Sequence, residues 1–447
     1  QRCRVIHQHE GFAVLWSQSV SKSIEIDRSQ SQMLDNNLME NGIAADSSRQ
    51  IRHSYGPQAI VVLFYLTQYL QNWPLLRISR MKGEFNFEDF VTIFTSARCF
   101  QTIGLQIYVP DESRPLCFYP YGRSFIYLID LIRIPASLAP AIIIIISLLI
   151  LNVSARLLGE TTYFEKSLFV LFFVSPPIWL GFERGNADLL ICLLVLFSAY
   201  LASNGKNILS IWMLILSTLI KFYTFPLLLF VLWKSRLKAN NWMLAFALLI
   251  LSFVMFTDIQ SQHLQQPGSF AFGSPIVTFW INSLSSNLNL GLNTITTREG
   301  QLIGVIMVII ISIIFSRFKF TANQVVELGS GKLKSNCFTY FGVVFVTCFV
   351  LGMSYDYRLI FSLLSGLFLI TSLNSHKVWK YFISCIWLLS AWLSVFSFGL
   401  APKTHLLIQW VGNGFTFMAA GLVITIVFKA NVVIDAKIGK RWKWRNA

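Results

Sequence analysis

Long apolar runs, separated by short polar segments, constrain this chain more than any other feature. Residues 139–151 and 301–315 have too few polar side chains for a water-facing surface. A helix that crosses a membrane needs about 20 mostly apolar residues. The pattern therefore predicts an all-α polytopic membrane protein with about 12 transmembrane helices. The predicted spans are 58–74, 136–156, 164–182, 186–203, 207–222, 223–234, 240–257, 301–317, 337–354, 358–374, 378–399 and 406–429.

Composition and charge support this class of protein. Apolar residues make up 55% of the chain and charged residues only 13%, whereas soluble proteins carry about 25% charged residues. The formal net charge of +15 comes mainly from short loops and the C-terminus, which is typical of cytoplasmic loops of membrane proteins. We therefore expect a multi-pass protein of the plasma (inner) membrane, with both termini cytoplasmic, the lipid bilayer as partner and no nucleic-acid partner.

The chain divides into three regions by polarity. Residues 1–57 are polar and lack a clear period, and we interpret them as an extension or a disordered tail. Residues 58–430 form the predicted multi-span domain, in which 75–123 is the first outer loop. Residues 431–447 form a basic cytoplasmic tail. Cysteine and histidine residues show no metal-ligand spacing, so we expect no bound metal. Two cysteines of the outer loop either bridge outside the cytoplasm or stay separate, namely Cys99 and Cys117.

Residues 183–188 (ERGNAD) form a dense polar segment between the apolar runs 164–180 and 189–202. Charges at membrane depth are costly, so such a segment favours a functional site. A helix-capping turn with a snorkelling Arg184 is the alternative.

Charged and polar side chains from separate parts of the chain fall on the same predicted outer face. An acid that lies with several cations on one side indicates a site for an anionic ligand, since guanidinium and ammonium groups bind phosphate oxygens. Structural ion pairs with Glu183, Asp188 or Asp356 are the alternative. The residues on this face are Asp89, Glu183, Arg184, Asn186, Lys221 and Arg358.

A helix is predicted early in the first outer loop. Apolar residues at Phe87, Phe90, Val91 and Phe94 have helical spacing, which fits a helix at the membrane interface. Asp89 lies near the start of this helix, where the helix dipole favours an ionised carboxylate. The residue is either a general base for a hydroxyl group or a simple N-cap.

Several motifs, in this order, resemble a known family. Asp-Phe at 89–90, Ala-Arg at 97–98 and Phe-Tyr-Pro at 118–120 resemble the GT-C superfamily of multi-span glycosyltransferases, which use polyprenyl-phosphate sugars. Residues 185–190 (GNADLL) and 219–226 (LIKFYTFP) are similar to glycosyltransferase family 87, the mycobacterial polyprenyl-phosphomannose mannosyltransferase type. That family has Lys-x-x-Pro, and this chain is two residues longer there. Residues 355–361 (YDYRLIF) resemble a late motif of bacterial relatives of the family.

The resemblance implies a GT-C-like fold and roles for the matching residues. Asp89 takes the place of the catalytic base, and the donor phosphate is expected to contact Arg184, Lys221 and Arg358. The candidate contacts to the sugar or the acceptor are Glu183, Asn186, Tyr119 and Tyr357.

The implied activity is an inverting glycosyl transfer on the outer face. A hexose or pentose would move from a polyprenyl-phosphate donor to a lipid-linked or cell-envelope acceptor. The donor is a substrate, and no cofactor or metal is expected. A transporter or flippase of lipid-linked sugars, or a polymerase, is the alternative.

Overall fold

The computed structural model describes residues 55–71, 87–104, 123–159, 161–234, 248–249, 271–287, 294–318, 332–351, 354–355, 358–373, 377–396 and 402–445. The predicted extension 1–57 lies outside these ranges except for its last three residues, and so does most of the predicted span 240–257. Only parts of the first outer loop, 75–123, are described. The described chain is helical apart from one short antiparallel pair of two-residue strands.

The elements follow one another along the chain as a series of helices. We number the α-helices and strands in chain order. They are α1 Gly56–Gln71, α2 Glu88–Ile103, α3 Arg123–Ile132, α4 Ala139–Leu158, α5 Tyr163–Phe173, α6 Pro176–Arg184, α7 Asp188–Ser203, α8 Asn207–Ile220, α9 Phe225–Lys234, β1 Ala271–Phe272, α10 Ile276–Asn287, α11 Thr297–Arg317, α12 Lys332–Leu351, β2 Ser354–Tyr355, α13 Leu359–Ile370, α14 Lys377–Phe396 and α15 Pro402–Arg445, with 3₁₀ turns at Ala136–Leu138 and Phe222–Thr224.

Within the described ranges, four helical segments are long and apolar enough to cross a membrane. A fifth is added if the bent pair α5 and α6 counts as one span. Shorter apolar helices fill further predicted spans, including α7, α8 and α13. The chain is therefore a helical membrane protein by the length and composition of its helices. The number of about 12 spans and the GT-C-like fold stay predictions. The four long segments are Ala136–Leu158, Thr297–Arg317, Lys332–Val350 and Leu407–Lys429.

One predicted span is interrupted, and a second break between helices falls at the boundary predicted between 207–222 and 223–234. The span predicted at 164–182 consists of α5 and α6, bent by 45°. Proline lacks the amide hydrogen that a helix interior needs, so the chain begins a new helix at Pro176. The break after α8 occurs at Lys221, whose backbone is extended, and a 3₁₀ turn then leads into α9. This break lies beside the candidate site.

The predicted helix of the outer loop is present as α2, which begins at Glu88. Its apolar face is buried in the protein: Phe90, Ile93 and Phe94 are each almost fully inaccessible. This face packs against α3, α4 and α6. The position of this helix at the membrane interface stays a prediction. Its apolar spacing reflects contact with neighbouring helices, which fixes Asp89 relative to them.

The centre of the bundle is formed by α7, α12 and α13. Every residue of α13 is buried, as expected for a helix that is apolar on all sides. Helix α12 packs against both α7 and α13. The first residue of α7 is Asp188, and Arg358 immediately precedes α13. Two central helices therefore begin at charged residues of the candidate site.

Hydrogen bonds between helix ends define two ends of the bundle. At one end, the Gln301 side chain donates to the carbonyl of Val350, close to where α13 begins. At the other end, Lys334 donates to the carbonyl of Thr371, just after α13. Lys429 likewise donates to the carbonyl of Ser316 near the end of α11. We call the end with Asp188 and Arg358 the cluster end and the other the opposite end.

Candidate functional site

The polar segment 183–188 is the turn between α6 and α7. Gly185 adopts the left-handed conformation with φ of 61°, and its amide donates to the carbonyl of Phe182 at 3.0 Å. The amide of Asn186 reaches back to the carbonyl of Gly181 at 3.0 Å. These are the bonds of a Schellman C-cap, for which glycine is the favoured residue. The capping interpretation is thus correct for the backbone, and the side chains of the same turn are directed into a charged network.

Asp89 of α2 is paired with Arg184 at the end of α6. The Nη2 atom of Arg184 lies 2.9 Å from Oδ1 of Asp89, and its Nε atom lies 3.2 and 3.3 Å from Oδ1 and Oδ2. A guanidinium that binds a carboxylate through two nitrogens is a strong and directional contact. Helix α2 is also held by its backbone, because the amide of Phe87 donates to the carbonyl of Glu183 at 2.7 Å.

Asp188 is the centre of a second group of contacts. Its Oδ1 atom accepts from Nζ of Lys221 at 2.6 Å and from the hydroxyl of Tyr223 at 2.5 Å. Its Oδ2 atom accepts from Nε of Arg358 at 3.1 Å. The guanidinium of Arg358 also lies over the ring of Tyr223, 5.2 Å from the ring centre, a cation–π contact. One buried carboxylate therefore gathers two cations from separate helices.

The break after α8 explains how Lys221 and Tyr223 reach the same carboxylate. Lys221 is extended, and residues 222–224 form a 3₁₀ turn that is held by hydrogen bonds from Thr224 to the carbonyl of Lys221 and from Ser217 to Thr224. Lys221 begins this turn and faces Asp188.

Asn186 joins the two groups of contacts. Its Nδ2 atom donates to Oδ2 of Asp89 at 2.7 Å, and its Oδ1 atom accepts from the amide of Asp188 at 3.0 Å and from Lys221 at 3.2 Å. The result is one continuous network, which we call the charged cluster. Its members are Asp89, Arg184, Asn186, Asp188, Lys221 and Arg358.

The charged cluster has a buried part and an accessible part. The Asp188 side chain is 2% exposed, whereas the Asp89 and Arg184 side chains are 15% and 33% exposed. The cluster contains three cations and two carboxylates, so one positive charge is in excess among its members. An anion that approaches from the Arg184 side would meet a preorganised set of donors.

The structure brings together five of the residues that the sequence predicted for the site. The side chain of Glu183 is half-buried in the same turn, while Tyr119 and Tyr357 lie outside the described residues.

Asp188 and Tyr223 were not assigned functional roles from the sequence. The sequence indicates Asp188 only as a candidate ion-pair partner of the cations. In the structure it forms ion pairs with Lys221 and Arg358. Tyr223 falls inside the 219–226 motif, but no sequence pattern predicts that its hydroxyl reaches Asp188. The five residues that meet are Asp89, Arg184, Asn186, Lys221 and Arg358.

Comparisons with known proteins do not add a relative to this description. No protein-family model matches the chain, and neither does any curated protein or solved structure. In the part of the chain that the structure describes, no three acidic, cysteine or histidine side chains are grouped as a metal site would require. Function is therefore inferred from the contacts of the charged cluster itself.

Proposed function

We propose that this chain is an integral membrane glycosyltransferase. It would transfer a hexose or pentose from a polyprenyl-phosphate donor to a lipid-linked or cell-envelope acceptor, with inversion at the anomeric carbon. One observation carries the proposal: a partly accessible carboxylate, Asp89, lies in one network with three cations from separate elements at the cluster end of a membrane protein. This combination provides both a base and a site for a phosphate group.

The cluster matches the charge changes of this reaction. The acceptor hydroxyl attacks the anomeric carbon while its proton passes to Asp89, which acts as general base. The bond between that carbon and the phosphate oxygen breaks, and polyprenyl phosphate leaves with the electron pair. Negative charge therefore grows on the phosphate oxygens. Cations that are already held in place stabilise this charge without reorganising, and Arg184, Lys221 and Arg358 supply them.

The pairing of Asp89 with Arg184 suggests an order of events. Arg184 occupies the Asp89 oxygens that an acceptor hydroxyl would have to reach, so the free site is not yet ready for catalysis. The donor phosphate would compete for Arg184, the most exposed cation of the cluster at 33%. Asp89 would then be released toward the acceptor. Meanwhile Asp188 keeps Lys221 and Arg358 in position for the leaving group.

The cluster end fits the outer face of the plasma (inner) membrane. Cys99 on α2 is disulfide-bonded, and disulfides persist in oxidising compartments. Several lysines lie at or near the opposite end, as expected for a cytoplasmic face. We therefore propose cytoplasmic termini and an outer active site. Lysines of the opposite end include Lys332, Lys334, Lys377, Lys380 and Lys429.

Cysteine labelling of intact cells tests this orientation. Ser286 at the end of α10 and Ser316 near the end of α11 are both exposed and lie at different ends of the bundle. In a Cys385→Ser background, a membrane-impermeant thiol reagent should label Ser286→Cys and should spare Ser316→Cys. The reverse pattern would place the charged cluster on the cytoplasmic face and contradict the proposed orientation.

Transfer by the purified protein in lipid tests the activity. A panel of radiolabelled polyprenyl-phosphate sugars is offered with membrane-derived acceptors, and the configuration of the new bond is read. Asp89→Asn should lower turnover by about 10²–10⁴-fold while donor binding persists. Asp130→Asn is the matched control, because Asp130 accepts a hydrogen bond from Gln101 in an exposed position. Near-normal turnover of Asp89→Asn would remove Asp89 from the mechanism.

A transporter of lipid-linked sugars is the second candidate, and one observation favours it. The bundle contains two broken helices, α5–α6 and α8–α9, and the second break places Lys221 in the cluster. Transporters often build substrate sites at such breaks. The same assay separates the two functions, since a transporter moves the intact lipid-linked sugar and forms no glycosidic bond. Short and long acceptors separate a single transfer from polymerisation.

A further inference from the structure

Asn186 links Asp89 to Asp188 and Lys221 through different ends of one side chain. Its amide nitrogen bonds the side chain of Asp89, and its amide oxygen bonds the backbone amide of Asp188 and the ammonium of Lys221. The residue is 2% exposed. A buried side chain with these contacts connects the accessible base to the buried cations.

The neighbours determine which way the amide points. A carboxylate only accepts hydrogen bonds, whereas an ammonium and a backbone amide only donate them. Turning the amide over would place oxygen against oxygen at Asp89 and nitrogen against nitrogen at Lys221. An aspartate at 186 would put a second carboxylate against Asp89, and a leucine would bond neither neighbour. The position therefore requires a short side chain that donates at one end and accepts at the other, which asparagine provides.

The backbone around Asn186 holds this amide in place. Its own amide donates to the carbonyl of Gly181, and its carbonyl accepts from the amide of Leu189 at 3.0 Å. Gly185 before it is in the left-handed conformation, and a Cβ atom there would lie 3.0 Å from Cα of Phe87. Asn186 is thus more firmly fixed than Arg184, whose side chain is a third exposed.

We propose that Asn186 is a positioning residue for Asp89, and this rests on the proposed function. Its amide fixes Oδ2 of Asp89, so that the other oxygen points to the acceptor hydroxyl once Arg184 has turned to the donor phosphate. This role differs from the sugar or acceptor contact expected from the sequence. A lost sugar contact raises KM, whereas a misplaced base lowers kcat.

The first test measures kcat and KM for Asn186→Leu, which keeps the approximate size of the side chain and removes its hydrogen bonds. The expected result is a fall in kcat of about 10–100-fold, the order of effect of a misplaced catalytic group, with KM for the donor within about twofold. A rise in KM with unchanged kcat would overturn the proposal and restore the contact role.

The second test exchanges the two residues and does not depend on sugar transfer. Asn186→Asp alone should lower the melting temperature by several degrees, because two carboxylates then face each other. In the double variant Asp89→Asn/Asn186→Asp, an amide at 89 can donate to a carboxylate at 186, which still accepts from Lys221. We expect the double variant to recover at least half of the lost melting temperature.

Activity distinguishes positioning from stability alone. In the double variant, transfer should stay as low as in Asp89→Asn, because the base has moved although the hydrogen bond is restored. Absence of any thermal recovery would overturn the link between Asn186 and Asp89. If the wild type transfers no sugar but the double variant recovers its melting temperature, the proposed function is wrong and the link between the two residues holds.

Discussion

The two ends of the bundle each contain a buried carboxylate bound to a lysine, yet they differ in what the charges do. At the cluster end, Asp188 and Lys221 are 2% and 10% exposed. At the opposite end, Glu165 bonds Lys380, and the two side chains are 6% and 12% exposed. Burial and pairing alone therefore do not separate a functional site from a structural ion pair.

At the opposite end, the charges complete helix termini. Glu165 accepts from the backbone amide of Thr162 at 2.7 Å, and Thr162 accepts from the amide of Glu165, which is a capping box at the start of α5. Lys334 donates to the carbonyl of Thr371 just after α13. Glu165 and Lys334 therefore both bond backbone groups at helix ends, and Glu165 also bonds Lys380 of α14.

At the cluster end, the charges satisfy one another and leave a cation accessible. Asp188 is shared by two cations, and Asn186 connects them to the pair of Asp89 and Arg184. In the proposed function, the accessible charge pair connected to a buried one distinguishes the donor site from the structural ion pair at the opposite end.

The largest expected effect is the loss of Asp188. Asp188→Asn leaves Lys221 and Arg358, 10% and 19% exposed, without their common carboxylate. Removing one partner of a buried ion pair costs about 3–5 kcal/mol. The free energy of unfolding, measured in a titration with denaturing detergent, should therefore fall by that amount. Asp130→Asn, in an exposed position, should change stability by no more than about 0.5 kcal/mol. Equal stability of both variants would mean that Asp188 does not hold the cluster together.

A smaller effect is expected at two left-handed glycines, one at each end. Gly205→Ala, with φ of 74° and open space around it, should cost about 1 kcal/mol. Gly185→Ala has the same backbone strain and also contacts Phe87 at 3.0 Å, so it should cost about 2 kcal/mol or more. Because Phe87 precedes α2, this variant should also displace Asp89.

Transfer assays and melting curves of the two glycine variants check this prediction. Sugar transfer should fall in Gly185→Ala and stay normal in Gly205→Ala. If both variants lose activity to the same extent, the contact between the 183–188 turn and α2 is not specific to the site.

A change in stability without a change in transfer is expected for Glu165→Gln at the opposite end. Glutamine still completes a capping box, and Lys380 can extend toward solvent. We expect a loss of about 1–2 kcal/mol in the free energy of unfolding and no change in transfer. A strong fall in transfer by this variant, at normal stability, would give the opposite end a functional role.

The sequence predicts much of the fold and part of the site. Apolar runs predicted the helices, and the polar segment 183–188 predicted the turn that carries the cluster. The order of predicted spans also placed Lys221 and Arg358 on the same face as Asp89. The helices and the turn follow from local sequence pattern. The shared face follows from counting how often the chain crosses the membrane.

The contacts within the site depend on packing that local pattern does not encode. Arg184 bonds a residue 95 positions away and Arg358 one 170 positions away, so the choice of partner is fixed by how the helices pack. The bend at Ser175 was missed because an apolar run hides a break, although Pro176 and Pro177 signal it.

A binding measurement on the two buried lysines tests whether the charged cluster holds the donor phosphate. Binding of radiolabelled polyprenyl-phosphate mannose is measured at equilibrium for Lys221→Ala and Lys380→Ala in lipid, per amount of folded protein. Both variants remove a lysine that is about a tenth exposed and paired with a buried carboxylate. We predict that Lys221→Ala weakens binding by about 10–100-fold, the effect of one lost charge-assisted hydrogen bond, and that Lys380→Ala stays within about twofold of the wild type. Equal effects of the two variants, or unchanged binding in Lys221→Ala, would contradict a donor-phosphate site in the charged cluster.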